Sequence, residues 1–113
     1  MELRSLAEAE PFTTKDGSTI RELYHTLAQS LAEATLGPGQ ATQRHYHARS
    51  EEIYFLTHGG GRLEIDGETR DVGPGDAALI PPGAWHELVA GPEGARLLCI
   101  CVPPYAHDDT FLA

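Results

Sequence analysis

Two histidines one residue apart, His45 and His47, followed five positions later by Glu52, form the densest concentration of chemistry in the chain. They lie in GQATQRHYHARSEEIYFLTHG, residues 39–59. Alternate residues of a strand face the same way, so the two imidazoles can converge on one point. Two neutral nitrogen donors and a carboxylate oxygen are what a divalent transition metal takes. A fourth candidate, His86, lies downstream in GDAALIPPGAWHELVA. Three neutral imidazoles and one carboxylate around a divalent ion leave a local charge near plus one, which attracts an anionic or enolate-like oxygen. Four protein donors on an octahedral ion leave about two positions open for water, dioxygen or a bidentate substrate. Fe, Mn, Ni, Cu and Zn fit such a donor set alike.

These residues need strands to carry them. Ala41 to His47 reads as one, with Thr42, Arg44 and Tyr46 on the face opposite Gln43, His45 and His47. Glu52 to Thr57 is the plainest strand, and its run of Ile, Tyr, Phe and Leu asks for cover on both faces. Tyr54 and Leu56 share the inward face with Glu52, as pocket wall or as ordinary core. Glu51 points away, unless the register slips by one residue. His58 to Gly61 reads as a turn. Arg62 to Ile65 and Glu68 to Val72 flank Asp66-Gly67, the signal of a type I′ hairpin. Ala77 to Ile80 is a short apolar strand whose Ala77 and Leu79, or their neighbours, would floor the cavity. Pro81-Pro82-Gly83 makes a corner, His86 to Val89 a strand, Gly91 to Gly94 a loop, and Arg96 to Val102 the last strand. Upstream, Ile20 to Leu27 and Ser30 to Leu36 have the composition of strands, the second stopped by Gly37-Pro38-Gly39.

Many short strands separated by glycine and proline, with no long helix, read as an all-β sandwich or barrel with antiparallel pairing. The expected organisation is an N-terminal arm over 1–17, a barrel over 18–103 and a C-terminal tail over 104–113. The arm is a two-turn helix or an extended segment lying on the barrel.

The spacing carries a resemblance. Gly39, five residues, His45-Tyr46-His47, four residues, Glu52, six residues and Gly59 resemble the first motif of the cupin superfamily. Gly75, five residues, Pro81-Pro82-Gly83, two residues and His86 resemble the second. Fifteen residues separate Gly59 from Gly75, similar to the compact spacing of small bacterial members, which are often described as resembling mannose-6-phosphate isomerase. The resemblance implies a double-sheet antiparallel jelly-roll barrel. It also implies that His45, His47, Glu52 and His86 bind one divalent transition metal inside it. One position departs from the pattern: the second motif usually ends in Asn four residues after its His, where this chain has Ala90.

The other side chains have plainer readings. His25 and His58 lack matching partners and belong to a strand surface and a turn tip. Trp85 faces away from its neighbour His86, toward packing or a subunit contact. Cys99 and Cys101 read as reduced, packed thiols, with a pair of soft metal ligands as the alternative. If the last strand ends at the barrel mouth, Tyr105 and His107 emerge beside the open coordination positions as a gate or proton relay; otherwise they belong to an exposed tail.

Composition removes several partners. The chain has 113 residues and a formal net charge of −9, with eight Lys and Arg in all. Nucleic acid and anionic membrane surfaces both need clustered cations, so neither is a partner. No apolar run reaches the length that crosses a bilayer, and the acidic start MELRSLAEAE lacks a secretion signal's apolar core, so a cytoplasmic location is expected. A homodimer is expected too, since Ile53 to Leu56 needs cover and the family resemblance points the same way. The expected function is a metalloenzyme acting on a small molecule, the metal serving as a Lewis acid or binding dioxygen beside a chelated substrate. Similar cupins include dioxygenases, decarboxylases and sugar isomerases or epimerases. Phosphate-sugar chemistry wants a basic cluster, and only Arg44, Arg49 and Arg96 offer one, which favours dioxygenase-type chemistry. The alternative is a metal-dependent binding protein without turnover.

Overall fold

The computed structural model describes all 113 residues. Nine strands follow in chain order: β1 (Phe12–Thr13), β2 (Thr19–His25), β3 (Ser30–Leu36), β4 (His45–His47), β5 (Glu51–Ile65), β6 (Glu68–Val72), β7 (Ala77–Ile80), β8 (His86–Val102) and β9 (Thr110–Leu112). Every pairing between them is antiparallel. The two long strands β5 and β8 run beside each other from Glu51↔Val102 to Ile65↔His86 and pass from one sheet into the other. One sheet is β1-β2-β3, the second half of β8, the first half of β5, and β7. The facing sheet is β9-β4, the first half of β8, the second half of β5, and β6. This is the all-β, double-sheet jelly-roll barrel that the strand pattern and the resemblance led to.

The bends in β5 and β8 are made by glycine. His58 to Gly61, expected as a turn, is a bend inside a continuous strand, with register shifts between Leu56 and His58 and between Gly59 and Gly61. Gly91 to Gly94, expected as a loop, is likewise part of β8. Where the two strands cross the barrel's corner, Gly59 (φ 64°) pairs with Ala95, the neighbour of Gly94 (φ 74°). A Cβ at Gly59 would overlap the Gly94 carbonyl, and one at Gly94 would lie 2.6 Å from the Leu36 carbonyl. A glycine cluster mimics a chain reversal in sequence, but a strand can also use it to bulge and turn onto a second sheet.

Both chain ends reach the sheets: the N-terminal segment in its extended form, and the C-terminal one as a strand where a tail is expected. Residues 104–113 do not form a free tail: a short 3-10 turn, His107–Asp109, leads into β9, which pairs with β4 through Tyr46↔Phe111 and His47↔Thr110. At the other end a single 3-10 turn covers Leu6–Glu8, and β1 pairs with β2 through Phe12↔Ile20. Strand β4 is shorter than expected. It starts at His45, and Ala41 only bridges to Val89. The Asp66-Gly67 hairpin is as expected, both residues having positive φ (47° and 88°), as a type I′ turn needs.

The core lies between the sheets, built on Ile20, Leu36, Leu56, Leu63, Leu88 and Leu97. Along β5 the alternation puts Glu52, Tyr54 and Leu56 inside and leaves Ile53 and Phe55 partly exposed, at 37% and 38%. In β7 it is Ala78 and Ile80 that face the core, not Ala77 and Leu79; Leu79 is 56% exposed. No helix is long and apolar enough to cross a membrane.

Candidate metal centre

Strand pairing brings the histidines together. His45 and His47 share the inward face of β4, and His86, the first residue of β8, pairs directly with His45. Between the two histidines Tyr46 turns outward, stacked on Phe111 at 5.0 Å and edge-on to Trp85 at 4.6 Å. Trp85 therefore faces away from the site, as expected, with the Arg44 guanidinium 5.1 Å above its ring. Ligand nitrogens of His45, His47 and His86 lie within 4.8 Å of one another, and all three residues are buried. Glu52 enters from the opposite sheet near the start of β5. Its Oε1 lies 3.4 Å from His47 Nε2 and 3.4 Å from His86 Nε2. Glu51 is exposed, so the register is the unslipped one.

The ring orientations follow from what holds each Nδ1. His45 Nδ1–H donates to the Gln43 carbonyl (2.6 Å), and His86 Nδ1–H to the Ala84 carbonyl (2.9 Å). His47 Nδ1 meets Thr110 Oγ1 at 3.2 Å. That hydroxyl spends its own hydrogen on the Ala106 carbonyl (3.0 Å), so it accepts from His47. Each neutral ring then carries its lone pair on Nε2, aimed into the cluster. Two of the converging atoms, Glu52 Oε1 and His86 Nε2, are buried with no hydrogen-bond partner. Such atoms cost roughly 1–3 kcal/mol each when left unsatisfied, and a cation between them would satisfy both. The residues therefore fit a metal ion. Glu52 Oε2 is occupied separately, by the Cys101 thiol at 3.3 Å.

The electrostatics are those of a charged centre in a dry place. Burial would raise the Glu52 carboxyl, but contacts from His47 and His86 outweigh it and hold the group at about 2. Burial, with His86 alongside, pushes His45 down. For His47 burial acts downward too, but the Glu52 carboxylate prevails and the net shift is upward. Burial and the nearby Glu52 charge push both cysteine thiols up in the metal-free site, and the two are not joined in a disulfide.

A cavity of about 40 Å³, measured as the space open to the centre of a water-sized sphere, adjoins the cluster. Its apolar wall comes from Ile20, Ala32, Ala34, Leu36 and Leu97; its polar end includes Asp16, Tyr54 and Tyr105 beside the histidines. Of the four residues proposed as pocket or flanking groups, Tyr54 and Tyr105 line it. The Tyr105 ring stands edge-on to His47 at 6.0 Å, with its hydroxyl buried and without a partner. Leu56 does not line it; it is fully buried in the core, since the strand bends just beyond it. His107 does not either, because the 3-10 turn carries it to the surface.

Three contributors were not legible beforehand. Thr110 sets the His47 tautomer. Asp109, buried, accepts from the backbone N–H groups of Ala48, Arg49 and Ser50 and so holds the turn between β4 and β5. Asp16 sits in the turn before β2 with Oδ2 3.5 Å from His45 Nε2. The Lys15-Asp16-Gly17-Ser18 signal announced a turn correctly, but nothing in it pointed to the barrel interior. Ala90, in place of the usual Asn, is buried, and its N–H donates to the Gln40 carbonyl.

A small double-sheet barrel with three histidines gathered inside it defines a cupin. Residues 32–101 match the Cupin_2 model, a cupin domain, and the chain belongs to that family. It is 43% identical over 107 residues to an uncharacterized protein of Methanocaldococcus jannaschii, covering 89% of this chain and 86% of that one. It is 41% identical over 66 residues to the dimethylsulfoniopropionate lyase DddW of Ruegeria pomeroyi, matching 58% of this chain and only 43% of the lyase. Among solved structures, KdgF from Halomonas sp. superposes with a TM-score of 0.84 at 22% identity, covering 96% of this chain and 97% of that one, a likeness of fold.

Proposed function

We propose that His45, His47, Glu52 and His86 hold one divalent transition metal ion, and that the protein is a metal-dependent enzyme of the lyase or isomerase type. Its substrate is a small molecule bearing a carbonyl or carboxylate. The observation that carries this reading is the pair of buried, partnerless atoms Glu52 Oε1 and His86 Nε2, 3.4 Å apart among rings whose other nitrogens are already engaged. A bound divalent ion supplies Lewis acidity there, polarising a substrate oxygen. The chain's own groups do the rest. The apolar wall receives the hydrocarbon part of the substrate and excludes water. Burial holds Tyr54 and Tyr105 in the phenol form, Tyr54 most strongly, so each offers an O–H to a substrate oxygen. Proton-holding groups around a metal favour proton-transfer chemistry. Similarity to a lyase supports that choice, and similarity to the 5-aminosalicylate 1,2-dioxygenase of Comamonas sp, 36% identical over 69 residues, supports dioxygenase chemistry as the alternative.

Elemental analysis of protein purified without added metal or chelator tests the first half. About one equivalent of a transition metal per chain is expected, and its absence in both the wild type and metal-reconstituted protein would defeat the reading. Incubating the loaded protein with small hydroxy acids, keto acids and sulfonium carboxylates, followed by proton NMR and an oxygen electrode, tests the second. Product without dioxygen uptake is expected. Dioxygen uptake would restore the dioxygenase reading, and a ligand that stabilises the fold but is never consumed would make the protein a binder.

A further inference from the structure

Asp16 presents a carboxylate to His45, a histidine that Glu52 does not contact. It belongs to the turn Thr14–Ser18 between β1 and β2. Its Oδ1 is saturated by Thr14 Oγ1 (2.6 Å), Ser18 N (2.9 Å) and Ser18 Oγ (2.7 Å). Its Oδ2, on a side chain only 13% exposed, lies 3.5 Å from His45 Nε2. The His45 proton is already committed on Nδ1 to the Gln43 carbonyl at 2.6 Å, so a carboxylate oxygen faces a nitrogen lone pair. Two electron-rich atoms held at that distance repel unless a positive centre lies between them.

The separation itself is informative. Donors each about 2.0–2.2 Å from one ion stand roughly 3–3.5 Å apart at angles between octahedral and tetrahedral. The Asp16–His45 distance falls in that range, as do the two 3.4 Å distances from Glu52. Nor is the turn free to swing away. Gln43 N–H donates to the Asp16 carbonyl (2.7 Å), Lys15 Nζ to the Thr110 carbonyl (2.8 Å), and Gln40 Nε2 to the Gly17 carbonyl (3.2 Å). These contacts pin the turn to the segment that leads into β4 and to Thr110 at the start of β9.

We propose that Asp16, through Oδ2, is a fifth protein donor to the metal, on the His45 flank. This rests on the reading of His45, His47, Glu52 and His86 as ligands. Two carboxylates cancel the charge of a divalent ion, and five protein donors leave about one open position on a six-coordinate one. The centre then takes the substrate through a single oxygen, a carbonyl or hydroxyl, rather than chelating it through two.

The experiment compares the full-length wild type with D16N, which keeps the amide oxygen for the Thr14 and Ser18 contacts and removes the ligand charge. Cobalt(II) is the probe, with affinity read by chelator competition and coordination by the visible absorption bands. Expected are one cobalt per chain in the wild type, affinity lower by roughly tenfold or more in D16N, and a changed visible spectrum. Equal affinity and an identical spectrum would overturn the fifth donor and leave the four-ligand reading standing. No cobalt uptake by the wild type would sink both. Should D16N fail to fold, the cobalt-loaded wild-type crystal decides: Asp16 Oδ2 about 2.2 Å from the ion supports the assignment, and a separation beyond about 3 Å refutes it.

Discussion

Thr110 Oγ1 accepts from His47 Nδ1 at 3.2 Å while giving its own hydrogen to the Ala106 carbonyl. One hydroxyl of the last strand thus decides which nitrogen of a central histidine faces the site. Replacing Thr110 with Val keeps the shape and removes the acceptor. Metal affinity, read by chelator competition, is expected to fall roughly tenfold to a hundredfold, while T110S keeps most of it. An unaltered affinity in T110V would show that the tautomer is fixed elsewhere.

Metal removal should cost stability, because an ion that binds only the folded chain stabilises it by mass action. At a free concentration a thousand times its Kd the gain is about 4 kcal/mol. For a domain of this size that corresponds to a fall in Tm of well over 10 °C on adding chelator. E52Q and H86A should show no chelator-dependent change. A wild-type melting curve indifferent to both metal and chelator would contradict this.

The acid limb of stability in the metal-free protein should depend on Glu52. Its carboxyl sits at about 2 when folded against an ordinary value of 4.5, so the unfolded chain takes up the proton first as pH falls. The stabilisation is therefore complete above about pH 4.5 and is lost as pH drops toward 2. Urea midpoints measured across that window should fall less steeply in E52Q than in the wild type. Parallel slopes would assign the acid sensitivity to other groups.

The corner between the sheets makes a separate prediction. Gly94→Ala forces a Cβ to within 2.6 Å of the Leu36 carbonyl at φ 74°. A destabilisation of about 1–3 kcal/mol is expected by urea unfolding, more than at an open turn glycine such as Gly39. Comparable losses at the two sites would mean that crowding is not what makes glycine necessary at 94.

Across one sheet the outward residues form an apolar row. Ile53 pairs with Leu79 on one side and Ile100 on the other, and Ile100 pairs with Leu31. We propose that a second copy of the chain covers this face. Sedimentation should give a dimer for the wild type and a monomer for the F55E/L79E double variant. A wild-type monomer at micromolar concentration would remove the proposal.

The parts of the fold that were legible in sequence are those with a strong local code. Period-two alternation put His45 and His47 on one face and Glu52 with Tyr54 on another, and Asp66-Gly67 announced its hairpin. What escaped depends on partners distant in the chain. Three residues, Thr110 to Leu112, are too few to show a period, and they become a strand only because β4 offers an edge. Asp16 reads as a turn former whether its second oxygen meets water or His45. The glycines at 59–61 read as a chain reversal because composition alone does not distinguish a reversal from a strand bending around a corner.

Glu52 and His86 lie near opposite ends of the longest ladder in the molecule, Glu52 opposite Cys101 and His86 opposite Ile65. The curl of the barrel brings these extremities to within 3.4 Å. A bound ion would therefore act as a buckle, fastening the two longest strands end to end and turning a curled ribbon into a closed hoop. Amide exchange along the whole of both strands, and not only beside the histidines, should slow when the buckle is shut.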